Sequence, residues 1–223
     1  MTNQGWNAVD DYITSTLSLN DPALDAALAA NKAAGLPAID VSPPQGRVLE
    51  IFARMMGARR VLEIGTLGGY STICMARALP ADGKVVTLEY EPRHAEVARS
   101  NIANAGLGDK VDIRVGAALD TLPRLEDEGA GPFDLIFIDA DKPNNPHYVH
   151  WAIRLSRLGS VIIVDNVVRD GSVADDASTD PSVIGSRAVF DLIAGEPNLV
   201  GTAIQTVGIK GWDGFAIAIV QST

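Results

Sequence analysis

From residue 60 onward the chain alternates short apolar segments with segments of helical spacing. Strands of this kind, separated by helices, predict a parallel sheet that is covered by helices on both faces. Because the crossovers are right-handed, the carboxyl ends of the strands share one edge, where ligands bind in such sheets. The five predicted strands of this region are RVLEIG (60–65), KVVTLEY (84–90), VDIRVG (111–116), FDLIFIDA (133–140) and SVIIVDN (160–166).

The two ends of the chain depart from this alternation. Residues 1 to 58 are predicted to be helical, with a proline-containing break at LPAIDVSPPQG. Near the other end, a polar loop at 167–185 precedes a helix, SRAVFDLIAG, and the strands LVGTAIQTVG and GFAIAIVQ. Because only the short IKGWD separates these strands, we predict an antiparallel pair. We expect a single domain over residues 1–223, with a helical cap (1–58) and a cofactor-binding and catalytic core (59–223).

The composition excludes several classes of protein. With 47% hydrophobic and 21% charged residues the chain is neither disordered nor a membrane protein, and no apolar run approaches the ~20 residues of a spanning helix. The net charge of −10, without a clustered basic face, argues against nucleic acid and favours a cationic ligand or a metal. The single cysteine excludes an intrachain disulfide. No basic segment precedes an apolar one at the N-terminus, so we expect a cytoplasmic protein.

The segment VLEIGTLGGYST contains a glycine-rich turn directly after the first strand of the alternation. Its G-x-x-G-G pattern, which starts at Gly65, differs from the G-x-G-x-x-G of dinucleotide sites. Glu89 ends the next strand, near the ~20-residue offset at which an acid binds ribose hydroxyls. Glu63 would repel a pyrophosphate and attract an ammonium or sulfonium group. The charges therefore favour S-adenosylmethionine over NAD.

Polar side chains also end the fourth and fifth strands of the alternation. Asp139 and Asp141 end one strand, and Asp165 and Asn166 end the other. On neighbouring strands, two of these carboxylates would repel each other unless a positive group lay between them. Oxygen ligands of this kind favour a hard divalent cation, Mg²⁺ first, with Ca²⁺ or Mn²⁺ as alternatives. Each residue alone is also a common turn or cap residue. Beside a dication the ammonium form of Lys142 would be disfavoured, so this lysine could act as a general base.

Taken together, these segments resemble the class I S-adenosylmethionine-dependent methyltransferases. Within this class they resemble the metal-dependent O-methyltransferases of the catechol and caffeoyl-coenzyme A kind. The resemblance is carried by VLEIGTLGGYST, LEY, DADK and VDN and extends from about Val41 to the C-terminus. It implies a Rossmann-like, doubly wound α/β fold with N-terminal helices and seven strands, mostly parallel with an antiparallel last strand. It also implies a homodimer.

The resemblance further implies which residues form the site. Glu63, Gly65 and Thr66 would contact the methionine end of the cofactor, and Glu89 would bind its ribose hydroxyls. For Val41, ordinary core packing is an alternative. Asp139 and Lys142 would be catalytic, with Lys142 as the base that takes a proton from a hydroxyl of an ortho-diphenol. The expected cofactor-binding set is Val41, Glu63, Gly65, Thr66, Ser71, Glu89, Ala118, Asp139 and Asp141. The expected metal ligands are Asp139, Asp165 and Asn166.

Other functions remain open at this point. An NAD-dependent oxidoreductase would need the Rossmann glycine spacing, and a nucleic-acid amino-methyltransferase would carry D/N-P-P-Y/F/W where this chain has DADK. A methyltransferase with a different small acceptor, or a cofactor-binding protein without activity, fits the same pattern. We expect a small phenolic substrate, with no nucleic acid and no membrane as partner. The three histidines are interpreted as surface or core residues, and Asp213 as a substrate contact.

Overall fold

Seven strands form one sheet in the order β3-β2-β1-β4-β5-β7-β6. The pairs from β3 to β5 are parallel, and β7 is antiparallel to both β5 and β6. This confirms the predicted seven-stranded, mostly parallel sheet with an antiparallel last strand. The strands are β1 (Arg60–Ile64), β2 (Lys84–Glu89), β3 (Val111–Val115), β4 (Phe133–Ile138), β5 (Ser156–Asp165), β6 (Leu199–Gly208) and β7 (Gly211–Val220).

The computed structural model describes residues 3–19 and 21–221. The predicted helical region and domain also include residues 1, 2, 20, 222 and 223, which lie outside the described residues. No helix in the described ranges is long and apolar enough to cross a membrane. The α-helices of these ranges are α1 (Asn3–Thr16), α2 (Pro22–Ala33), α3 (Pro43–Met55), α4 (Tyr70–Ala78), α5 (Pro92–Asn104), α6 (Ala118–Asp127), α7 (Asn145–Arg154) and α8 (Pro181–Gly195).

The sheet has a separate hydrophobic core on each face. Val61 of β1 packs with Leu49 of α3 and other residues of helices α2 to α5. Its neighbour Leu62 points to the opposite face and packs with Leu122 of α6 and with residues of α7 and α8. Successive strand residues are thus buried on alternate faces, which explains why the parallel strands are apolar almost without interruption.

Three elements begin three or more residues earlier than predicted. Strand β5 begins four residues earlier than predicted because the hydroxyl of Ser160 accepts from the amide of Arg157 and donates to the carbonyl of Phe133. Ser156 pairs with Phe133, and a register shift between Phe133 and Leu135 accommodates the residues between Ser156 and Val161. The polar loop ends at Asp180, whose carboxylate caps α8 through the amide of Ser182. The turn between β6 and β7 is shorter than IKGWD, because β7 already begins at residue 211.

The order of the strands places a cleft at the carboxyl ends of β1 and β4. From β1 the sheet continues to β2 on one side and to β4 on the other. The amide of Asp139, just after β4, donates to the carbonyl of Ile64 at the end of β1 over 2.8 Å. The segments that follow the two strands diverge from this point and leave space between them, as at other switch points of doubly wound sheets.

Candidate active site

A cavity of about 830 Å³ lies at the carboxyl edge of the sheet, above β1, β2 and β4. Most of the residues predicted to form the site line this one cavity, although they are spread along the chain from residue 41 to residue 166. Two predicted residues, Glu63 and Asp165, are not among the lining residues and lie buried behind it. The predicted residues that line the cavity are Val41, Gly65, Thr66, Ser71, Glu89, Ala118, Asp139, Asp141, Lys142 and Asn166.

Gly65 lets the ends of β1 and β4 approach each other at the floor of the cavity. Its φ is +103°, a conformation that L side chains rarely adopt. A Cβ atom at this position would lie 2.4 Å from the carbonyl oxygen of Asp139. The first glycine of the turn is therefore required both by its backbone conformation and by the closeness of the neighbouring strand.

Two buried asparagines connect the glycine turn to the N-terminal helices. Asn101 of α5 donates to the carbonyl of Gly68 over 2.9 Å and to the side-chain oxygen of Asn31 of α2 over 3.0 Å. Asn31 in turn donates to Asp40, which lines the cavity, over 2.8 Å. A Cβ atom on Gly68 would overlap Asn31 at 1.9 Å. These hydrogen bonds hold the turn between α2 and α5, and only a glycine at position 68 leaves room for the side chain of Asn31.

Glu89 orders the same turn from the side of β2. One of its carboxylate oxygens accepts from the amides of Thr66 and Leu67, at 3.1 and 2.8 Å. The other accepts from the amide of Glu91 at 2.9 Å. The side chain is buried but lines the cavity. Glu89, the acid expected to bind ribose hydroxyls, therefore also fixes the backbone of the glycine turn.

Sequence reasoning missed His94 as a site residue. Its Nδ1 lies 3.5 Å from the second oxygen of Glu89, and its side chain lines the cavity. The interpretation of all three histidines as surface or core residues therefore does not describe this one fully. Its position in the sequence could have indicated this, because His94 is the third residue of α5, the helix that follows Glu89. Tyr90, next to Glu89, also lines the cavity and is 70% exposed.

Glu63 is fully buried, and three hydroxyl groups surround its carboxylate. Ser71 donates over 2.5 Å and Thr87 over 2.7 Å, and Thr72 donates to the same oxygen as Thr87. Burial raises the pKa of Glu63 to about 7, although the hydroxyls oppose the shift. The side chain joins β1 to β2 and to the start of α4, so it supports the cavity from behind.

Asp139, Lys142 and Asp165 form a charged group at the other end of the cavity. The ammonium nitrogen of Lys142 lies 2.7 Å from an oxygen of Asp139. Asp165 ends β5, next to β4, and its pKa is raised to about 7, first by burial and then by the charge of Asp139, with Lys142 opposing. Asn166 follows with φ +57°, and its amide donates to Asp165 over 2.9 Å.

This group has donors that suit a divalent cation. Within the described ranges, no three or more His, Cys, Asp and Glu side chains come together in a way that could hold a metal ion. The expected set of ligands has only two side chains of these types, because its third member, Asn166, is an amide. Two neighbouring carboxylates, of which Asp139 helps to raise the pKa of Asp165, with an amide oxygen beside them, match the oxygen ligands that Mg²⁺ and Ca²⁺ take. The chemistry of the residues therefore fits the expected metal.

Asp141 and Asp213 have local structural partners. The hydroxyl of Tyr148 donates to Asp141 over 2.5 Å, and burial together with this carboxylate raises the pKa of the tyrosine. Asp213 accepts from the amides of Val168 and Arg169 at 3.0 and 3.1 Å. Asp141 lines the cavity, whereas Asp213 lies behind the loop that follows β5.

A doubly wound sheet with an acid-lined cavity at its switch point is the architecture of a Rossmann-like enzyme, and the comparisons with known proteins show that its class is methyltransferase. The chain belongs to the O-methyltransferase family, whose sequence profile matches residues 17–207. This confirms the predicted family and enzyme class.

Similar proteins match along the whole chain. A catechol O-methyltransferase of Niastella koreensis is 52% identical over 99% of this chain and 100% of its own. A catechol O-methyltransferase of Mycobacterium tuberculosis is 56% identical over 96% of this chain and 95% of its own. The crystal structure of the O-methyltransferase from Bacillus cereus in complex with SAH (S-adenosylhomocysteine) superposes with a TM-score of 0.97 at 55% identity, covering 99% of this chain and 100% of the other.

Proposed function

We propose that this protein transfers a methyl group from S-adenosylmethionine to one hydroxyl of a small ortho-diphenol, with a divalent cation and with Lys142 as general base. The observation that carries the proposal is the contact of Lys142 with Asp139, beside Asp165 and Asn166, in the cavity that Glu89 lines. Two relatives are named catechol O-methyltransferases. A third was crystallised with SAH, which is what S-adenosylmethionine becomes when it gives up its methyl group.

The glycine turn and Glu89 form the half of the cavity that suits the methyl donor. We assign the ribose hydroxyls to Glu89 and place the adenine beside Ala118 and Tyr90, which line the same part of the cavity. Thr66, Ser71 and Gly65 would face the methionine part, and Val41 would cover the site. Glu63 would not contact the methionine part directly but would orient Ser71, which donates a hydrogen bond to the Glu63 carboxylate. A carboxylate-rich cavity without a phosphate-binding cluster suits a sulfonium cation.

Asp139, Asp165 and Asn166 are the residues that would hold the metal ion. When bound there, a divalent cation would lower the pKa of a coordinated phenol hydroxyl and orient the two adjacent oxygens of the acceptor. It would also balance the two carboxylates, whose mutual repulsion contributes to the raised pKa of Asp165. Mg²⁺ is our first choice among the hard cations, because all donors are oxygens.

Lys142 is placed to move the proton. Its side chain is only 12% exposed and lies against Asp139 at the cavity wall. A cation bound beside it would disfavour its ammonium form, so that the lysine could accept the proton of the acceptor hydroxyl. The oxyanion then attacks the methyl carbon, the new C–O bond forms as the C–S bond breaks, and the sulfur leaves as a neutral thioether. Because an anion and a cation become neutral, a site that excludes water speeds this step.

A homodimer also belongs to this proposal. An apolar groove outside the active cavity is formed by α3 and by strands β5 to β7, and includes Phe52, Met55, Val200 and Ile219. Three of these side chains are well exposed, Met55 at 78%, Val200 at 54% and Ile219 at 43%. Exposed apolar patches of this kind are typical of protein interfaces, and a second copy of the chain is the occupant that the resemblance implies. The cytoplasmic location and the division into a cap (1–58) and a core (59–223) stay predictions.

The experiment that tests the function compares diphenols that differ only in the spacing of their hydroxyls. Labelled S-adenosylmethionine and Mg²⁺ are supplied with catechol or with resorcinol, and transfer of label is measured. We expect transfer to catechol and at least tenfold less to resorcinol, because only adjacent oxygens reach one cation together. Equal rates would contradict the metal-bound ortho-diphenol. Cofactor binding without transfer to any diphenol would favour a different acceptor or a protein without activity.

A further inference from the structure

Arg169 brings a guanidinium group to the acceptor end of the active cavity. It lies on the loop after β5, three residues beyond Asn166, and lines the cavity together with Asn166 and Ser182. Ser182 is in the first turn of α8, whose amide groups give that end of the helix partial positive charge. No role in methyl transfer or in cofactor binding accounts for a cation at this place.

The guanidinium is poorly satisfied by the protein itself. Its Nε is buried and makes no hydrogen bond within the described part of the chain. Its closest acid is Asp213, and the distance from Nη1 to that carboxylate is 3.9 Å, too long for a hydrogen bond. The other oxygen of Asp213 already accepts from two backbone amides. The Nη groups also make no hydrogen bond within the described residues, and because the side chain is 33% exposed they can donate to an acceptor oxygen of a ligand in the cavity.

The backbone holds Arg169 in place in spite of an unfavourable conformation. Its φ is +56°, where glycine or asparagine would be less strained. The amide of Arg169 donates to Asp213, and the amide of the next residue, Asp170, donates to the carbonyl of Trp212 over 3.1 Å. The loop is therefore fixed against the β6–β7 turn region, and it carries a bulky cation where a smaller residue would fit with less strain.

The other charged groups of the cavity already have close partners. Lys142 is paired with Asp139 at 2.7 Å, and Asp141 accepts from Tyr148. Glu89 accepts from three amides, and Asp40 accepts from Asn31. Among these charged groups, Arg169 is the cation without a hydrogen-bonded partner in the described residues, and its forked donors match the two oxygens of a carboxylate.

We propose that Arg169 selects acceptors that carry a carboxylate on the ring or its side chain, such as dihydroxybenzoate. This inference rests on the proposed function, since it names the kind of ortho-diphenol that the same site prefers. The carboxylate would accept from the guanidinium and from the hydroxyl of Ser182, at the opposite end of the acceptor from the hydroxyl that is methylated. The phosphates of a coenzyme A thioester share this anionic chemistry, and the test separates the two sources.

The test compares kcat/KM for 3,4-dihydroxybenzoate and for its uncharged methyl ester in four proteins. These are the wild type, Arg169→Gln, Arg169→Lys and Arg99→Gln. Glutamine and lysine at position 169 share the backbone strain and differ in charge, and Arg99 is an exposed residue on α5 whose change alters the net charge equally. Caffeate and its coenzyme A thioester form a second pair of substrates.

We expect the ratio of acid to ester to fall roughly tenfold in Arg169→Gln, with the ester rate kept within about twofold. Arg169→Lys should keep part of the preference, and Arg99→Gln should keep all of it. An unchanged ratio in Arg169→Gln, or equal losses for acid and ester, would overturn the inference while leaving the methyltransferase function intact. If kcat/KM of Arg169→Gln falls for the coenzyme A thioester and not for caffeate, the inference is overturned in favour of phosphate recognition. A wild type that methylates catechol but neither benzoate substrate would also overturn the inference, whereas failure with catechol as well would contradict the proposed function.

Discussion

The ammonium nitrogen of Lys142 lies 2.7 Å from a carboxylate oxygen of Asp139, three residues earlier in the chain. Both side chains line the cavity at the end of β4, and Asp165 of the neighbouring strand is close enough for Asp139 to raise its pKa. One cation and two carboxylates are thus gathered at two adjacent strand ends. Proton removal and metal binding would occur at the same place, which suits metal-assisted methylation of a phenol hydroxyl.

Replacement of this lysine should stop catalysis while leaving the methyl donor bound. For Lys142→Met we expect kcat to fall by about 10²–10⁴, because the general base is lost. The dissociation constant of S-adenosylmethionine, measured by calorimetry, should change less than threefold. Lys32→Met, at an exposed position of α2, is the matched control and should keep full activity. A kcat within threefold of wild type for Lys142→Met would exclude the lysine as the base.

Glu89 should matter mainly for cofactor affinity. Glutamine can offer only one oxygen, so Glu89→Gln loses either the bonds from Thr66 and Leu67 or the bond from Glu91. We expect the dissociation constant of S-adenosylmethionine to rise at least about tenfold. Glu96→Gln, an exposed change on α5, should leave it unchanged. Equal affinities for the two variants would remove Glu89 from the cofactor site.

The first glycine of the turn should tolerate no side chain. In Gly65→Ala the new Cβ would lie 2.4 Å from a backbone oxygen at φ +103°, and we expect a loss of at least about 3 kcal/mol in the free energy of unfolding. Gly35→Ala is the matched control, since φ is +71° there but the surrounding space is open. That change should cost about 1 kcal/mol. The free energies of unfolding are measured by urea denaturation. Similar losses for the two variants would show that the close approach of β1 and β4 is not the reason for a glycine at position 65.

Glu63 should make stability depend on pH in a definite direction. Its pKa is raised to about 7 in the folded protein, from 4.5 for an unperturbed glutamate. Between these values the folded protein keeps a proton that the unfolded chain has released. The stabilisation that this proton gives the folded protein is therefore fully present below pH 4.5 and declines as the pH rises toward 7. Above pH 7 it is lost, and the stability no longer changes through this group. We expect the stability of Glu63→Gln relative to wild type to improve between pH 5 and pH 8, by up to about 3 kcal/mol. A difference that does not vary with pH would contradict the raised pKa.

Much of the fold was predictable because the strands are buried on both faces. Apolar runs such as FDLIFI, alternating with helical segments, favour a sheet covered on both sides, and the number of strands and the antiparallel last strand followed from the resemblance. The start of β5 was not predictable from the pattern, because it depends on the hydroxyl of Ser160, which bonds to a residue 27 positions away in sequence. Local preferences do not show such a contact.

The candidate site was predictable where residues lie at strand ends and not where they lie on other elements. Asp139 and Asn166 follow strands that the pattern identifies, so their place at the cavity could be expected. His94 and Arg169 lie on a helix and in a loop, and only the packing of those segments brings them to the cavity. For Glu63, the sequence placed the acid at the right strand but did not show that three hydroxyls hold it behind the cavity wall.

The measurement that tests the central claim most directly is the rate of labelled methyl transfer from S-adenosylmethionine to catechol after removal of divalent cations. The two carboxylates and Asn166 should hold a cation that the acceptor also needs. We predict that the rate falls at least 100-fold with a chelator and returns when Mg²⁺ is added in excess, while binding of S-adenosylmethionine stays the same. Undiminished transfer in the presence of chelator would contradict the metal-assisted mechanism.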